Sequence, residues 1–383
     1  MKALEIIEPP AITIAGDALK PSRRIAELDG LRGLAILLVM SFHYINNQLV
    51  NTAGIIAHAL SLVTSFGWVG VDLFFVLSGF LIGSILVRNK RSKNYFSTFY
   101  LRRLVRIVPN YFLLVVIFMI ILAIPWFADN YFLTGNNVIP AWSYFAMLHN
   151  FYMAHLQNFG NVAMSVTWSI GIEEQFYIIF PFIVYFINDK WLPFILIAAI
   201  IMASFIRATY QSWVPQYVLL PCRMDAISFG ALIAWINYHY DLKVLARKYF
   251  AVLIVILATV VGFCGYLYIR YNDLGVIKNS LFALVFAILL VFALTYTNSW
   301  YGRLLRNKML VWIGTVSYSL YLFHYLILGI FHHVNGYREG IGIYNAKDIV
   351  VSVIALIVSI LFSWLVFKLL ETPAVRLGKR LKY

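Results

Sequence analysis

Charge is scarce in this sequence. Asp, Glu, Lys and Arg make up 12% of its 383 residues while 62% are hydrophobic, a balance that leaves too little polar surface for a soluble enzyme. Cysteine is scarcer. Cys222 and Cys264 cannot build a disulfide framework, and with no Cys-x-x-Cys pair or Cys/His cluster there is no metal-ligand spacing. Both read as apolar packing residues, and no metal is expected. The chain also lacks an internal repeat, a low-complexity tract and a second polar domain. Residues 1–28 are polar and lead into a long apolar run without a small-residue cleavage pattern, so no removable signal peptide is read.

What the sequence has in abundance is long apolar runs. At about 1.5 Å of rise per helical residue, a hydrocarbon layer ~30 Å thick takes about 20 residues per crossing. Runs between polar breaks predict crossings near 30–50, 66–87, 107–126, 167–187, 191–209, 223–240, 249–268, 280–297, 309–330 and 349–370. The expected fold class is therefore all-α, a polytopic membrane helix bundle of about ten transmembrane helices. An N-terminal tail is read at 1–28, the membrane domain at 29–373 and a basic C-terminal tail at 374–383.

A net charge of +14 raises the question of a nucleic-acid partner, which the distribution of the basic residues answers. Of the 30 Lys and Arg, 24 fall on the side that holds the N-terminus, including Lys2, Lys20, Arg23 and Arg24. Six, Arg207, Arg223, Arg270, Lys278, Arg338 and Lys347, fall on the other. By the positive-inside rule both termini are cytoplasmic, the charge reports topology, and no nucleic acid is expected. Two stretches exceed a simple string of hairpins. Residues 127–166 carry no Lys or Arg and include the aromatic run AWSYFAMLHNFYMAH, too short and polar for a crossing, which reads as an interfacial or re-entrant element. Residues 88–106 hold seven cations, more than a topology signal needs.

An ionisable group inside a bilayer is costly unless it is paired or wetted, so each one is a functional candidate. In LDGLRGLAILLVMSFHY, Arg32 and His43 are eleven residues apart. That is three helical turns plus about 20°, so both project from one face with roughly 16 Å of rise between them. Arg32 then sits at the cytoplasmic boundary and His43 near mid-membrane; the plainer alternative is a snorkelling arginine and a packed histidine. Asp72, in GWVGVDLFFVLSGFLI, falls by depth within a turn of His43, and Glu173 and Glu174, in WSIGIEEQFY, sit a turn or two below the outer face. A carboxylate beside an embedded imidazole raises its basicity and fixes its tautomer, as a general base requires. For the glutamates, a solvated helix start is the alternative.

The segment FYLRRLVRIVPNYF carries Arg102, Arg103 and Arg106. If it is helical, Arg103 and Arg106 share a face and present two planar donors to phosphates; a stop-transfer charge cluster is the competing explanation. In PCRMDAISFG, Arg223 and Asp225 are expected to pair with each other, and His324, in WIGTVSYSLYLFHY, reads as a packed core histidine. His149, His155, His332 and His333 carry no clear signal.

Taken in order from about Glu27 to Pro373, the segments LDGLRGLAILLVMSFHY, GVDLFFVLSGFLI, FYLRRLVRIVPNYF, TWSIGIEEQFYIIFP, RMDAISFGALIA, IGTVSYSLYLFHY and ETP resemble the integral membrane acyltransferase family 3, the O-acetyltransferase-like family that modifies bacterial surface polysaccharides. The resemblance places that family's arginine-to-histidine spacing on Arg32 and His43, its paired-arginine acyl-CoA motif on Arg103 and Arg106, with Arg102 beside them, and its acidic position on Glu173. It implies a multi-pass protein of the bacterial inner membrane that transfers an acyl group from acyl-CoA, acetyl-CoA by preference, to a hydroxyl of a glycan or lipid-linked sugar. His43, oriented by Asp72 or Glu173, then acts as base or carries a transient acyl group, while Trp168, Glu174, Arg223 and Asp225 on the outer side face the acceptor. The bilayer, the acyl-CoA and the glycan are the expected partners, and oligomeric state is left open. A transporter or flippase with an intramembrane proton relay is the main rival, although no repeat symmetry supports it. A non-catalytic scaffold gains nothing from these residues in lipid.

Overall fold

In the computed structural model of the chain, residues 25–49, 54–135, 139–271, 275–337 and 341–383 are described. Lys2, Lys20, Arg23, Arg24, Arg338 and most of the 1–28 tail lie outside the described residues. Ten helices are long and apolar enough to cross a membrane: α1 (Ala26–Leu49), α2 (Ile55–Asn89), α3 (Tyr95–Ala123), α4 (Val162–Phe186), α5 (Leu192–Thr209), α6 (Trp213–His239), α7 (Phe250–Arg270), α8 (Lys278–Thr295), α9 (Lys308–Val334) and α10 (Ala346–Arg380). The described residues contain no strand. The protein is a multi-pass membrane helix bundle, as its apolar runs predict.

Burial sorts the helices into layers. The apolar window of α9 is 83% buried inside the protein and that of α7 only 6%, so α9 stands at the centre and α7 at the lipid edge. Around α9 pack α1 and α10, and a second close pair is formed by α2 with α6. Small residues make these pairs possible. A Cβ at Gly79 of α2 would run into the carbonyl of Ile227 on α6, and one at Gly230 of α6 into that of Val76 on α2. Between α1 and α9 the same is true of Gly33 against Leu310 and of Gly314 against Asp29. Lipid tails are as apolar as leucine, so such backbone-on-backbone packing replaces the hydrophobic effect as the source of association.

Several local features depart from the sequence reading. α3 starts at Tyr95 rather than near 107, which brings Arg102, Arg103 and Arg106 inside the helix. The cation cluster marks where charge begins, and a helix is free to continue through it when the side chains have a polar cavity to enter. α2 opens with a separate segment, Ile55–Thr64, whose Ile55, Ile56 and Val63 are exposed, before a turn at Gly67–Val69 and the long helix Gly70–Asn89. The stretch 127–166 breaks into short helices at Tyr131–Thr134, Ala141–Phe145 and His149–Leu156 that pack on the bundle. Within it His149 is fully buried and stacks on Tyr144 at 4.9 Å, and burial pushes its pKa down to about 4. Its Nε2 donates to Thr167 Oγ1 at 2.9 Å, because that hydroxyl already donates to Met164 O.

The end of the chain is likewise no free tail. Thr372–Arg380 is helical, Thr98 Oγ1 donates to Lys382 O at 2.8 Å, Arg102 donates to Leu381 O, and the Arg102 guanidinium lies 4.8 Å from the Tyr383 ring centre. The boundary expected at 374 falls inside an ordered element, since the helical face that packs on α3 continues past the charged residues.

The glycine contacts carry a prediction. Gly230→Val forces a side chain into the Val76 carbonyl and is expected to destabilise the bundle by about 3 kcal/mol, the upper end for overpacking. A heat challenge in detergent followed by size exclusion checks this, and an unchanged melting midpoint would contradict the packing described here.

Candidate functional site

Two cavities enter the bundle from opposite ends. The first, of about 820 Å³, opens beside both ends of the described chain, with Ile25 and Tyr383 in its wall. Its cations come from four helices: Arg32 on α1, Arg88 on α2, Arg102, Arg103 and Arg106 on α3, and Arg376 and Lys379 on α10. The helical register of α3 explains why its three arginines converge, since residues three and four apart share a face. Arg32 bonds Asp29 at 2.8 Å. Among the described residues neither Arg103 nor Arg106 donates a hydrogen bond to the protein, and the buried Nε atoms of Arg102 and Arg103 have no partner. Guanidinium donors gathered around open space have the charge and geometry to take phosphate or carboxylate oxygens.

Two carboxylates of this cavity take hydrogen bonds from neutral donors. Ser78 Oγ donates to Glu173 Oε1 at 2.7 Å, and Glu371 accepts from Ser319 at 3.0 Å and from Asn110 at 3.2 Å. From Arg88 to Val71 the cavity follows α2 for 17 residues, about 26 Å of helix, so it reaches most of the way across the bundle.

The second cavity, of about 590 Å³, opens at the other end and is walled by aromatics, among them Trp68, Phe159, Trp168, Trp213 and Tyr217. His43 faces it. The residue sits in a π-helical stretch of α1, Phe42–Asn46, of the kind often found where a helix presents a functional side chain.

The tautomer of His43 follows from its partners. His324 Nδ1 lies 2.8 Å from Tyr321 O and 3.1 Å from Leu320 O, and carbonyls only accept, so that nitrogen carries the proton. His324 Nε2 is then bare and lies 3.2 Å from His43 Nδ1, which is also 3.1 Å from Val39 O. His43 Nδ1 must therefore be the protonated nitrogen, which leaves its Nε2 as an unprotonated acceptor with no hydrogen-bond partner among the described residues. An imidazole held in one tautomer with a bare Nε2 has the proton-accepting atom that a general base requires.

This geometry rearranges the predicted roles. Neither Asp72 nor Glu173 bonds His43; the orienting group is His324, which the sequence presented as a packed core residue. Asp72 instead pairs with Arg223 at 2.6 Å, both fully buried, and Arg223 lies among Tyr217, Trp168 and Phe75 with ring centres 5.0–5.7 Å away. Arg223 and Asp225 do not pair with each other: Asp225 takes Arg207 at 2.9 Å and Ser280 at 2.5 Å. Asp72, Arg223, Asp225 and Glu174 line neither cavity, whereas Trp168 lines the aromatic one and Glu173 the cationic one. The reason is azimuth. Counting residues along a helix gives depth, but which neighbour a side chain meets depends on how separate helices are rotated against one another. Among the described residues no three His, Cys, Asp or Glu side chains gather as a metal site.

Comparison with known proteins follows the same outline. The sequence matches the family described as acyltransferase domain over residues 25–368. It is 26% identical over 390 residues to the O-acetyltransferase OatA of Staphylococcus aureus (strain NCTC 8325 / PS 47), covering 93% of this chain and 58% of that protein. The O-acetyltransferase OatA of Staphylococcus aureus (strain COL) matches with the same identity and coverage. The chain thus spans a little over half the length of these curated relatives. No solved structure matches.

Two predictions follow from the buried contacts. Replacing the orienting imidazole, His324→Leu, is expected to lower turnover by about 10- to 100-fold, as second-layer orienting groups do, with substrate KM unchanged. Steady-state kinetics in membranes separates the two parameters, and a change in KM alone would remove His324 from this role. Arg223→Met leaves Asp72 buried without its partner and is expected to cost about 3–5 kcal/mol, much of it recovered in the double variant Asp72→Asn/Arg223→Met. Thermal unfolding in detergent tests this, and equal loss in single and double variants would refute the pairing.

Proposed function

Because the chain belongs to the acyltransferase family whose domain it matches over residues 25–368, we propose that it is a membrane O-acyltransferase carrying an acyl group, acetyl by preference, from cytoplasmic acyl-CoA to a hydroxyl of a cell-surface glycan or its lipid-linked precursor. The observation that carries this reading is the pair of cavities. A cation-lined one runs about 26 Å along α2 towards an aromatic one, and a bare imidazole nitrogen waits in the second.

The residues fit an acyl-CoA. The nucleotide and pyrophosphate of such a donor are polyanionic, and Arg103 and Arg106 have donors that no acceptor among the described residues uses. Its long pantetheine arm suits a deep, narrow cavity whose far end is apolar. The aromatic cavity suits a sugar, whose C–H faces stack on indole and phenol rings. The positive-inside distribution of Lys and Arg supports a cytoplasmic entrance for the donor, and the family resemblance points to the bacterial inner membrane as the setting.

In this reading the acceptor hydroxyl sits against His43 Nε2. As its oxygen forms the new C–O bond to the thioester carbonyl, the C–S bond breaks and the hydroxyl proton passes to His43. The CoA thiolate leaves by the cationic cavity and takes up the proton, so that an ester and a free thiol are the products. His324 holds the His43 ring in place through Nδ1.

Transfer of radiolabelled acetyl from acetyl-CoA into lipid-linked or polymeric glycan, in membranes carrying the protein, tests the proposal. Wild type is expected to label, His43→Ala to lose about 10²- to 10⁴-fold in turnover, and Arg103→Ala/Arg106→Ala to raise the KM for acetyl-CoA. Labelling by His43→Ala at the wild-type rate would overturn it, and export of a glycan lipid without any label would point to the transporter class.

A further inference from the structure

The two cavities share Val71 and Tyr321 in their linings. Both residues are 6% exposed, so the partition between the cavities is one side chain thick on each side. The Tyr321 ring is pinned. Its hydroxyl bonds Ser169 Oγ at 2.8 Å and donates to Val166 O at 2.9 Å, one anchor from the wall of each cavity, and Phe74 meets the ring edge-on at 6.0 Å. The same residue's carbonyl fixes the tautomer of His324, so the partition lies beside the imidazole pair.

Resting on the acyl-transfer reading above, we propose that the gap between Val71 and Tyr321 sets the length of acyl group the protein transfers. The acyl end of a thioester held in the cationic cavity has to pass between these two side chains to reach an acceptor at His43, because they line both cavities and His43 lines only the aromatic one. A hydrogen-bonded tyrosine does not swing aside without losing two hydrogen bonds, and it therefore measures what passes. Short acyl groups clear the gap, and each further methylene has to displace the valine or the ring. Discrimination of about 10-fold or more per methylene is the ordinary power of an apolar constriction.

The experiment is transfer from acetyl-, propionyl-, butyryl- and hexanoyl-CoA by the full chain in membranes, read as the ratio of each kcat/KM to that for acetyl-CoA. Val71→Ala, which removes two methyl groups from the gap, is expected to raise the butyryl-to-acetyl ratio at least about 10-fold. Val71→Leu is expected to lower the propionyl-to-acetyl ratio. Tyr321→Phe, which keeps the ring and deletes its anchor, is expected to raise the ratios for the longer groups. Damage to folding lowers all rates together and leaves the ratios in place, so the ratios report the gap itself. Transfer of acetyl with ratios that none of the three variants moves, or a wild type that transfers hexanoyl as readily as acetyl, would overturn the inference while leaving the acyl-transfer reading intact. A wild type that transfers none of the four groups would overturn that reading instead.

Discussion

The close approach of α1 and α9 is the constraint on which the site depends. Gly33 and Gly314 let the two backbones touch, and the helices then run side by side for long enough that His43 and His324 meet at 3.2 Å. A Cβ at Gly33 would run into the Leu310 carbonyl and one at Gly314 into the Asp29 carbonyl, so either would force the helices apart. The tautomer of His43, the free state of its Nε2 and the position of the Tyr321 partition all follow from that contact. In a bilayer, where apolar surface gives no preference for one neighbour over another, such steric fits decide which helices pair.

The arginines fall into two kinds that composition alone does not distinguish. Arg207 and Arg223 are fully buried, each with its carboxylate, and they stitch α5, α6, α2 and α8 together. Arg102, Arg103 and Arg106 sit half-buried around open space, and Arg103 and Arg106 donate no hydrogen bond among the described residues. A buried ion pair in low dielectric is retained for geometry rather than for net stability, whereas unpaired guanidinium groups are tolerated only where water or an anion reaches them. The Asp72–Arg223 pair shapes the site from behind, since Trp168 and Tyr217, which face the aromatic cavity, lie against the Arg223 guanidinium.

Much of the bundle was legible in the chain. Ten apolar runs correspond to ten long helices because every crossing must satisfy its own backbone, which gives each helix a length that the sequence displays. Arg103 and Arg106, three apart on one helix, line one cavity, whereas Arg32 and His43, placed on one side of α1 by their eleven-residue step, line the cationic and the aromatic cavity respectively. The partners of Asp72, Arg223 and Asp225 were not legible. Residue counting placed Asp72 at the depth of His43, but α2 turns that carboxylate towards α6. His324 went unrecognised because its one signal, a histidine in mid-helix, is shared by any packed imidazole.

By itself the sequence determined everything that one helix carries alone: how many crossings there are, where charge is concentrated, and which residues lie on a common face. These are properties of period and hydropathy, and they survive without knowledge of any neighbour. Only the tertiary structure decided which histidine meets His43, which carboxylate each buried arginine takes, and that the two cavities meet at Val71 and Tyr321. Those contacts join residues as far as 281 positions apart, and they depend on the rotation of each helix about its own axis, a quantity that packing sets and that no local pattern encodes.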